Sequence, residues 1–416
     1  MWRWVRRILP ALAVAALAGA AGCSLSEAGT PVKAPGGPPP GSVDINLLGT
    51  GNLPTQPAPP LGAAGSPTQG ALIDARRMAN SVVGPWEVDP ALVTPSPLRA
   101  MVLKDAAAVG LIEPAAVAAA AQAHNFINGF ASDRLGLNQD LNQERLMNAV
   151  LRFADPPSAA AAAADMAAKS SAIQQTKPMP IPGHPDALAS SYSFYGDDQH
   201  TLIAMSYTPH GAYVLCQKVQ TTRDAAVGLI ARTLDLQTPL IDQFSPTDPS
   251  QFSNLPADPT GLLAHTMPAP TWPETPNPSE LTAPANPKVG IYQPHAALHL
   301  SDDPPSTDAA MSTAGVQAVS YNQTVVYQAR DPAAATQLAA DLADAALKLE
   351  PSAESSEGVD FLPSSRCLRS DRANGSSQFE YYCYAAAENF TIEAHGADAT
   401  GTHQLLAAQY KMLLAH

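Results

Sequence analysis

Residues 147–172 read MNAVLRFADPPSAAAAAADMAAKSSA, and residues 323–348 read QTVVYQARDPAAATQLAADLADAALK. Each is an apolar strand-like run, then Asp-Pro, then an alanine-rich stretch long enough for a helix. The junction has a local cause. The aspartate side chain caps the helix, and proline in the first turn gives up an N–H that would have had no partner there. Asp155-Pro156 recurs as Asp331-Pro332 at an offset of 176, and Asp165 recurs as Asp341 at the same offset. Downstream, TLIAMSYTPHGAYVL (201–215) matches QFEYYCYAAAENFTI (378–392) at an offset of 177, with Tyr207 on Tyr384 and Tyr213 on Phe390. A nearly constant offset over so long a stretch marks an internal duplication.

Each copy reads as strand, helix, two-strand hairpin, third strand, helix. In the first these are 147–154, 156–172, 188–195, 200–208, 211–219 and 223–236. In the second they are 322–329, 332–349, 365–372, 377–385, 389–395 and 400–415. With helices covering one face, the pattern predicts an α+β fold. It has two tandem repeats, about 145–237 and 320–416, each an antiparallel sheet with a helical layer. The proline-rich stretch MPAPTWPETPNPSE (267–280) reads as a linker between an N-terminal domain, 43–266, and a C-terminal domain, 281–416. Ahead of the first copy, Ser66-Pro67-Thr68-Gln69 has the form of a capped helix start, continuing to about Ser81. VVGPWEVDPAL (82–92) breaks that helix, and a second helix is expected over 114–128. This helical N-terminal segment should pack on the first repeat.

The chain opens with Arg3, Arg6 and Arg7, then an apolar run from Ile8 to Gly19, then Ala20-Ala21-Gly22-Cys23. Basic, apolar and small-residue regions in that order predict a signal peptide over 1–22 rather than a core helix. The pattern resembles a bacterial lipobox, with Ala20 standing where leucine is usual. The Cys23 thiol would be the lipidation site. No Ser or Thr precedes Arg6-Arg7, which favours the general secretory route over twin-arginine export. The Pro-, Gly- and Ser-rich residues 23–42 cannot bury enough surface to order themselves, so they read as a disordered tether. Acyl chains on Cys23 would anchor the protein on the outer face of the cell membrane.

Outside the cytoplasm, cysteines pair. Besides Cys23 there are Cys216, Cys367 and Cys383. Asn374-Gly375 is a hairpin-turn signal. A three-residue loop centred on Gly375 places Cys367 and Cys383 directly opposite one another, which predicts a disulfide between them. Cys216, in the apolar run AYVLC, is expected to be a free, buried thiol. The bridge positions map back to Ser190 and Ser206, so the first copy lacks the bridge.

A formal net charge of −14 would repel nucleic acid and other anionic polymers, which excludes them as partners. No catalytic constellation stands out: there is no G-x-S-x-G elbow and no S-x-x-K with partners. His295 and His299, with Asp302 and Asp303 downstream, have metal-ligand spacing. They lack the glutamate of a zinc protease and read as a structural loop with the two rings pointing apart. Asp197-Asp198 reads as a solvated hairpin tip, and Trp86 as a packing anchor. Arg76 and Arg77 read as a solvated helix face or as salt-bridge partners. No cofactor or metal is expected.

GNLPTQPAPPLGAAGSPTQGALIDARRMANSVVGPWEVDPAL, the later IYQPHAALH, the Asp-Pro units and the two C-terminal cysteines together resemble a family of uncharacterised mycobacterial and nocardial lipoproteins, known only as a domain of unknown function. The resemblance covers most of residues 43–416 and departs at Leu48-Gly49-Thr50, where an acidic turn is usual. It implies an actinobacterial surface lipoprotein and carries no activity. The expectation is therefore a non-catalytic binding or interaction module of the cell envelope, with an envelope protein or lipid as partner. The alternatives are a carrier of a lipid or other apolar ligand, and an envelope hydrolase.

Overall fold

The run that opens the first copy is a strand, Arg145–Phe153, almost wholly buried. The Asp155 carboxylate accepts a hydrogen bond from Ser158 N at 2.7 Å and caps the following helix, Pro156–Gln174. Asp331 does the same for Pro332–Leu349, accepting from Ala334 N at 2.8 Å. Both junctions thus form as the sequence predicts.

The computed structural model describes residues 26–27, 30–31, 43–137, 144–193, 201–269, 287–371 and 379–415. Cys23, Asp197-Asp198, Asn374-Gly375 and most of the proline-rich stretch lie outside them. The chain divides into two units, Met1–Asp44 and Ile45–His416. In the first, Ser26–Glu27 pairs antiparallel with Thr30–Pro31.

The second unit holds two seven-stranded antiparallel sheets. The first comprises β1 (Thr94–Leu103), β2 (Phe126–Leu135), β3 (Arg145–Phe153), β4 (Lys177–Pro178), β5 (Leu188–Ser193), β6 (Thr201–His210) and β7 (Tyr213–Thr222), in the order β1-β2-β3-β7-β6-β5-β4. The second comprises β8 (Gly290–Tyr292), β9 (Ala318–Tyr321), β10 (Val325–Gln328), β11 (Glu354–Ser356), β12 (Arg366–Asp371), β13 (Phe379–Ala387) and β14 (Phe390–Gly396), in the order β8-β9-β10-β14-β13-β12-β11. The two orders are identical strand for strand.

The helices follow the same rule. After α1 (Pro67–Met78) and α2 (Pro85–Val88), a short and a longer helix join the first two strands of each sheet. They are α3 (Ala106–Val109) and α4 (Ala115–Ala123) in the first copy; the second copy, beyond α5 and α6, has α7 (Pro294–Leu298) and α8 (Pro304–Ala314). A long helix follows the third strand, α5 (Pro156–Gln174) or α9 (Pro332–Leu349). Another follows the seventh, α6 (Arg223–Ile241) or α10 (Ala399–Leu414). The duplication therefore runs from β1 and from β8, well upstream of 145 and 320.

Two expectations are corrected. The segment before the first copy, read as helical, supplies β1 and β2 to its sheet. The helices of the first copy also cover both faces, not one. Met147, Ala149 and Leu151 pack with Ala159, Ala162 and Met166 of α5, while Leu146 and Val150, pointing the other way, pack with Ala226, Ile230 and Leu234 of α6. The core on the α6 side continues through Met78 of α1, Leu298 of α7 and Met311 of α8 to Leu338 and Leu342 of α9. One apolar core thus joins the α6 face of the first sheet to the α9 face of the second.

A pair of buried glutamines shows how far the duplication reaches. Gln237 of α6 accepts from Val83 N at 2.9 Å and donates to the Ser81 carbonyl at 2.8 Å. Gln409 of α10 accepts from Met267 N at 2.6 Å and donates to the His265 carbonyl at 2.7 Å. Equivalent residues, Asn148 in β3 and Thr324 just before β10, complete each cluster: Asn148 donates to Gln237 Oε1 at 2.8 Å, and Thr324 donates to Gln409 Oε1 at 2.7 Å. All four of these side chains are buried. Each sheet is thereby latched to a lead segment before its first strand, 79–83 or 263–267.

Cys367 and Cys383 face each other across β12 and β13, with Cα atoms 4.1 Å apart, and are bonded; Cys216 is free and buried. The other copy's equivalents differ from the expected pair by one residue. Tyr207 faces Cys216 as Tyr384 faces Glu393, which aligns Cys383 with Ser206, and Ser206 faces Ala189.

Candidate functional site

His295, His299, Trp86 and Arg76, singled out from the sequence, lie at the junction between the two halves. His299 is fully buried, accepting from the Ser132 hydroxyl at Nδ1 (2.9 Å) and donating from Nε2 to the Ala79 carbonyl (3.1 Å). Those roles suit a neutral ring, and burial first, then His295 and Arg134 nearby, push its pKa well below the ordinary histidine value. His295 donates from Nδ1 to the Asn80 carbonyl and from Nε2 to Glu87, both at 3.1 Å. Burial opposes its charged form, but the bonds to Glu87 and Asn80 outweigh it and its pKa is raised. The two rings lie 5.5 Å apart, edge to face, so they do not point apart as expected. Protein partners occupy all four nitrogens.

Trp86 is buried against the His299 ring at 5.2 Å, with the Arg134 guanidinium 5.4 Å from its own ring centre. Arg134, also buried, donates to the carbonyls of His299 at 3.0 Å and Ser301 at 2.8 Å. Burial, reinforced by Arg99, brings its pKa down to about 10. Arg77 pairs with the buried Asp74 at 2.9 Å, and Arg76 donates to the Val289 carbonyl. Asp303 caps α8, accepting from Ser306 N. Among the described residues, the one group of three His, Cys, Asp or Glu side chains whose ligating atoms all lie within 4.8 Å of one another is Cys367, Cys383 and His403, and its two sulfurs are bonded to each other.

Sequence reasoning did not single out the cavity beside this junction. It measures about 120 Å³ and lies between the second sheet, α9 and the 297–307 segment, with Arg99 of β1 at its rim. Alternation along four strands supplies its floor: Tyr321 from β9, Tyr327 from β10, Tyr382 and Tyr384 from β13, Glu393 and His395 from β14. Leu342, Ala346 and Leu349 of α9 form an apolar wall. Tyr327 donates its hydroxyl to Glu393 at 2.9 Å. Burial raises the pKa of Glu393 and, with the Glu393 charge, that of Tyr327. At the rim Arg99 pairs with Asp302; Arg99 itself has φ 52, where the pairing of β1 with β2 shifts register.

The first copy has the same scaffold with its interior filled. Leu151 stands where Tyr327 does, Met205 where Tyr382 does, and Cys216 where Glu393 does, each buried. Glu113, just before the N-cap of α4, reaches in to accept from Tyr207 at 3.1 Å and Cys216 at 3.3 Å. Burial raises the pKa of all three. The equivalent residue before the N-cap of α8 is Asp302, one methylene shorter and held at the rim by Arg99. The second copy therefore keeps open a space that the first closes.

The signal that could have located the cavity was available in the aligned copies. Apolar Leu151, Met205 and Cys216 are replaced by Tyr327, Tyr382 and Glu393, all on one face of a sheet.

No curated protein and no solved structure matches the chain. Residues 61–257 match the N-terminal domain of unknown function DUF7373, and residues 262–416 match its C-terminal domain. The division between these two matches falls immediately before the second lead segment. The chain belongs to the DUF7373 family.

Proposed function

We propose that this is a lipid-anchored, non-catalytic binding protein of the cell envelope, held by acyl chains on Cys23, whose ligand occupies the cavity over the second sheet. The observation that carries the binding site is the divergence of the copies. One scaffold was kept twice, and the second has a concave site with convergent polar groups and an apolar wall where the first packs Leu151, Met205 and Cys216. Anchoring rests on the sequence of residues 1–23, and no described helix is long and apolar enough to cross a membrane. The cavity is smaller than the roughly 300–1,000 Å³ that drug-sized ligands fill. That favours a compact ligand or headgroup over a carrier sheathing whole acyl chains.

The test is native mass spectrometry of the full chain after exposure to envelope extract, alongside Ala346→Trp, which fills the cavity from α9. A small-molecule adduct on the wild type and not on the variant is expected. Equal adducts on both, or none on either, would sink the reading.

A further inference from the structure

The cavity carries an excess of negative charge in an aromatic setting. Asp302, Asp303, Glu350 and Glu393 line it, against Arg99, which is already paired with Asp302, and the exposed His395. Glu393 sits half-buried on the floor of the cavity. Its hydrogen bond comes from a neutral hydroxyl, Tyr327, and among the described residues no basic group forms an ion pair with it. A carboxylate taken out of water is costly unless a cation or several donors compensate it. The surrounding side chains add to the same preference. Four tyrosines share the lining, and the negative faces of aromatic rings attract cations, quaternary ammonium groups above all.

Resting on the binding reading above, we propose that the cavity takes an organic ammonium cation. Its charged head sits among Tyr321, Tyr327, Tyr382 and Tyr384 against the Glu393 carboxylate, and its substituent lies along Leu342, Ala346 and Leu349. The first copy has no such site, since Leu151, Met205 and Cys216 replace two of the rings and the acid. A neutral or anionic ligand of the same shape would cover Glu393 with only the neighbouring His395 to offset its charge.

Isothermal titration of the full chain with choline and with its uncharged carbon isostere, 3,3-dimethylbutan-1-ol, tests this. Choline is expected to bind at least tenfold more tightly than the alcohol. Glu393→Gln preserves shape and can still accept from Tyr327, so it should fold, as circular dichroism would verify; it should weaken choline at least tenfold and leave the alcohol unchanged. Ala346→Trp should abolish both. Equal affinity for the two probes, or choline binding untouched in Glu393→Gln, would overturn the cation assignment while leaving the cavity a binding site. Absence of binding by either probe would overturn it too, and the extract experiment then decides the broader reading separately.

Discussion

Cys216 and Glu393 occupy one position in two copies of the same sheet, each facing a tyrosine, Tyr207 or Tyr384, on the adjoining strand. In the first copy a thiol sits there beneath the Glu113 carboxyl, and the space is filled. In the second the carboxylate itself is on the strand, and the space above it is open. The copies thus hold an acid at nearly the same place by different routes.

Glu393 should destabilise the ligand-free protein at neutral pH. Its pKa is raised above the ordinary 4.5, so the folded state holds the proton more tightly than the unfolded chain does. Stability therefore falls as pH rises from about 4.5 through the folded value. Asp302 strengthens the shift, while His395 and the Tyr327 hydrogen bond weaken it. Glu393→Gln should melt at a higher temperature than the wild type at pH 7 and at nearly the same temperature at pH 4. A lower melting temperature at pH 7 would show that the carboxylate is compensated in the empty site.

His299 should make the protein sensitive to mild acid. Its folded pKa lies well below 6.5, so its contribution is complete above 6.5 and is lost as pH falls below that. The loss is at most about 1.4 kcal/mol per pH unit for one group. His295, with its raised value, acts in the opposite sense, contributing below 6.5 and losing that contribution as pH rises through its folded pKa. Urea unfolding at pH 7.5 and 5.5 should show the wild type faring worse on acidification than His299→Gln, whatever the common contribution of His295 and Glu393. An unchanged pH dependence in the variant would exclude His299 as its source.

Arg134 ties the 298–301 backbone to the first sheet. Arg134→Met leaves the His299 and Ser301 carbonyls without their donor in a buried setting and should cost about 3 kcal/mol. Because residues 297–303 also form the cavity rim, choline affinity should fall even where the protein stays folded. Denaturant titration and calorimetry on the same variant separate the two effects. A loss below 1 kcal/mol would mean that water replaces the guanidinium.

The Cys367–Cys383 bridge closes a loop with a sequence separation of 16. Serine at both positions should lower stability by about 3 kcal/mol on the chain-entropy account. Non-reducing peptide mapping should link those two cysteines and leave Cys216 reactive only after unfolding. A linked peptide containing Cys216 would contradict the pairing.

Cys23→Ser should release the protein from membranes, since on the proposed reading the acyl chains supply the hydrophobic attachment. The measurement is the protein's distribution after a carbonate wash. Retention of a variant with its leader still removed would disprove the anchor.

Much of the fold was legible because its signals are local. Asp155-Pro156 and Asp331-Pro332 mark helix starts by capping chemistry, and the Asn374-Gly375 signal sufficed to place Cys367 opposite Cys383 in the β12–β13 register. β1 was not legible. Thr94-Pro95-Ser96-Pro97 has two prolines and no clean alternation, and the strand forms because β2 offers it an edge. β8 and β9 are too short to show a period. The cavity depends on tertiary placement. Nothing local to Asp302 says that Arg99, some two hundred residues away, holds it at the rim.

The paired latches of Gln237 and Gln409 change where the second copy starts. An amide that both donates to and accepts from a lead segment belongs to one inherited unit with that segment, so residues 263–267 descend with the second sheet. The proline-rich stretch that follows then lies inside that copy, between its lead segment and β8. The first copy bridges the same gap with 84–93, and the second takes 268–289. Such a difference in length costs little, since doubling a loop adds only about 0.6 kcal/mol of closure cost. Here, between latch and first strand, the architecture has a natural port for added sequence.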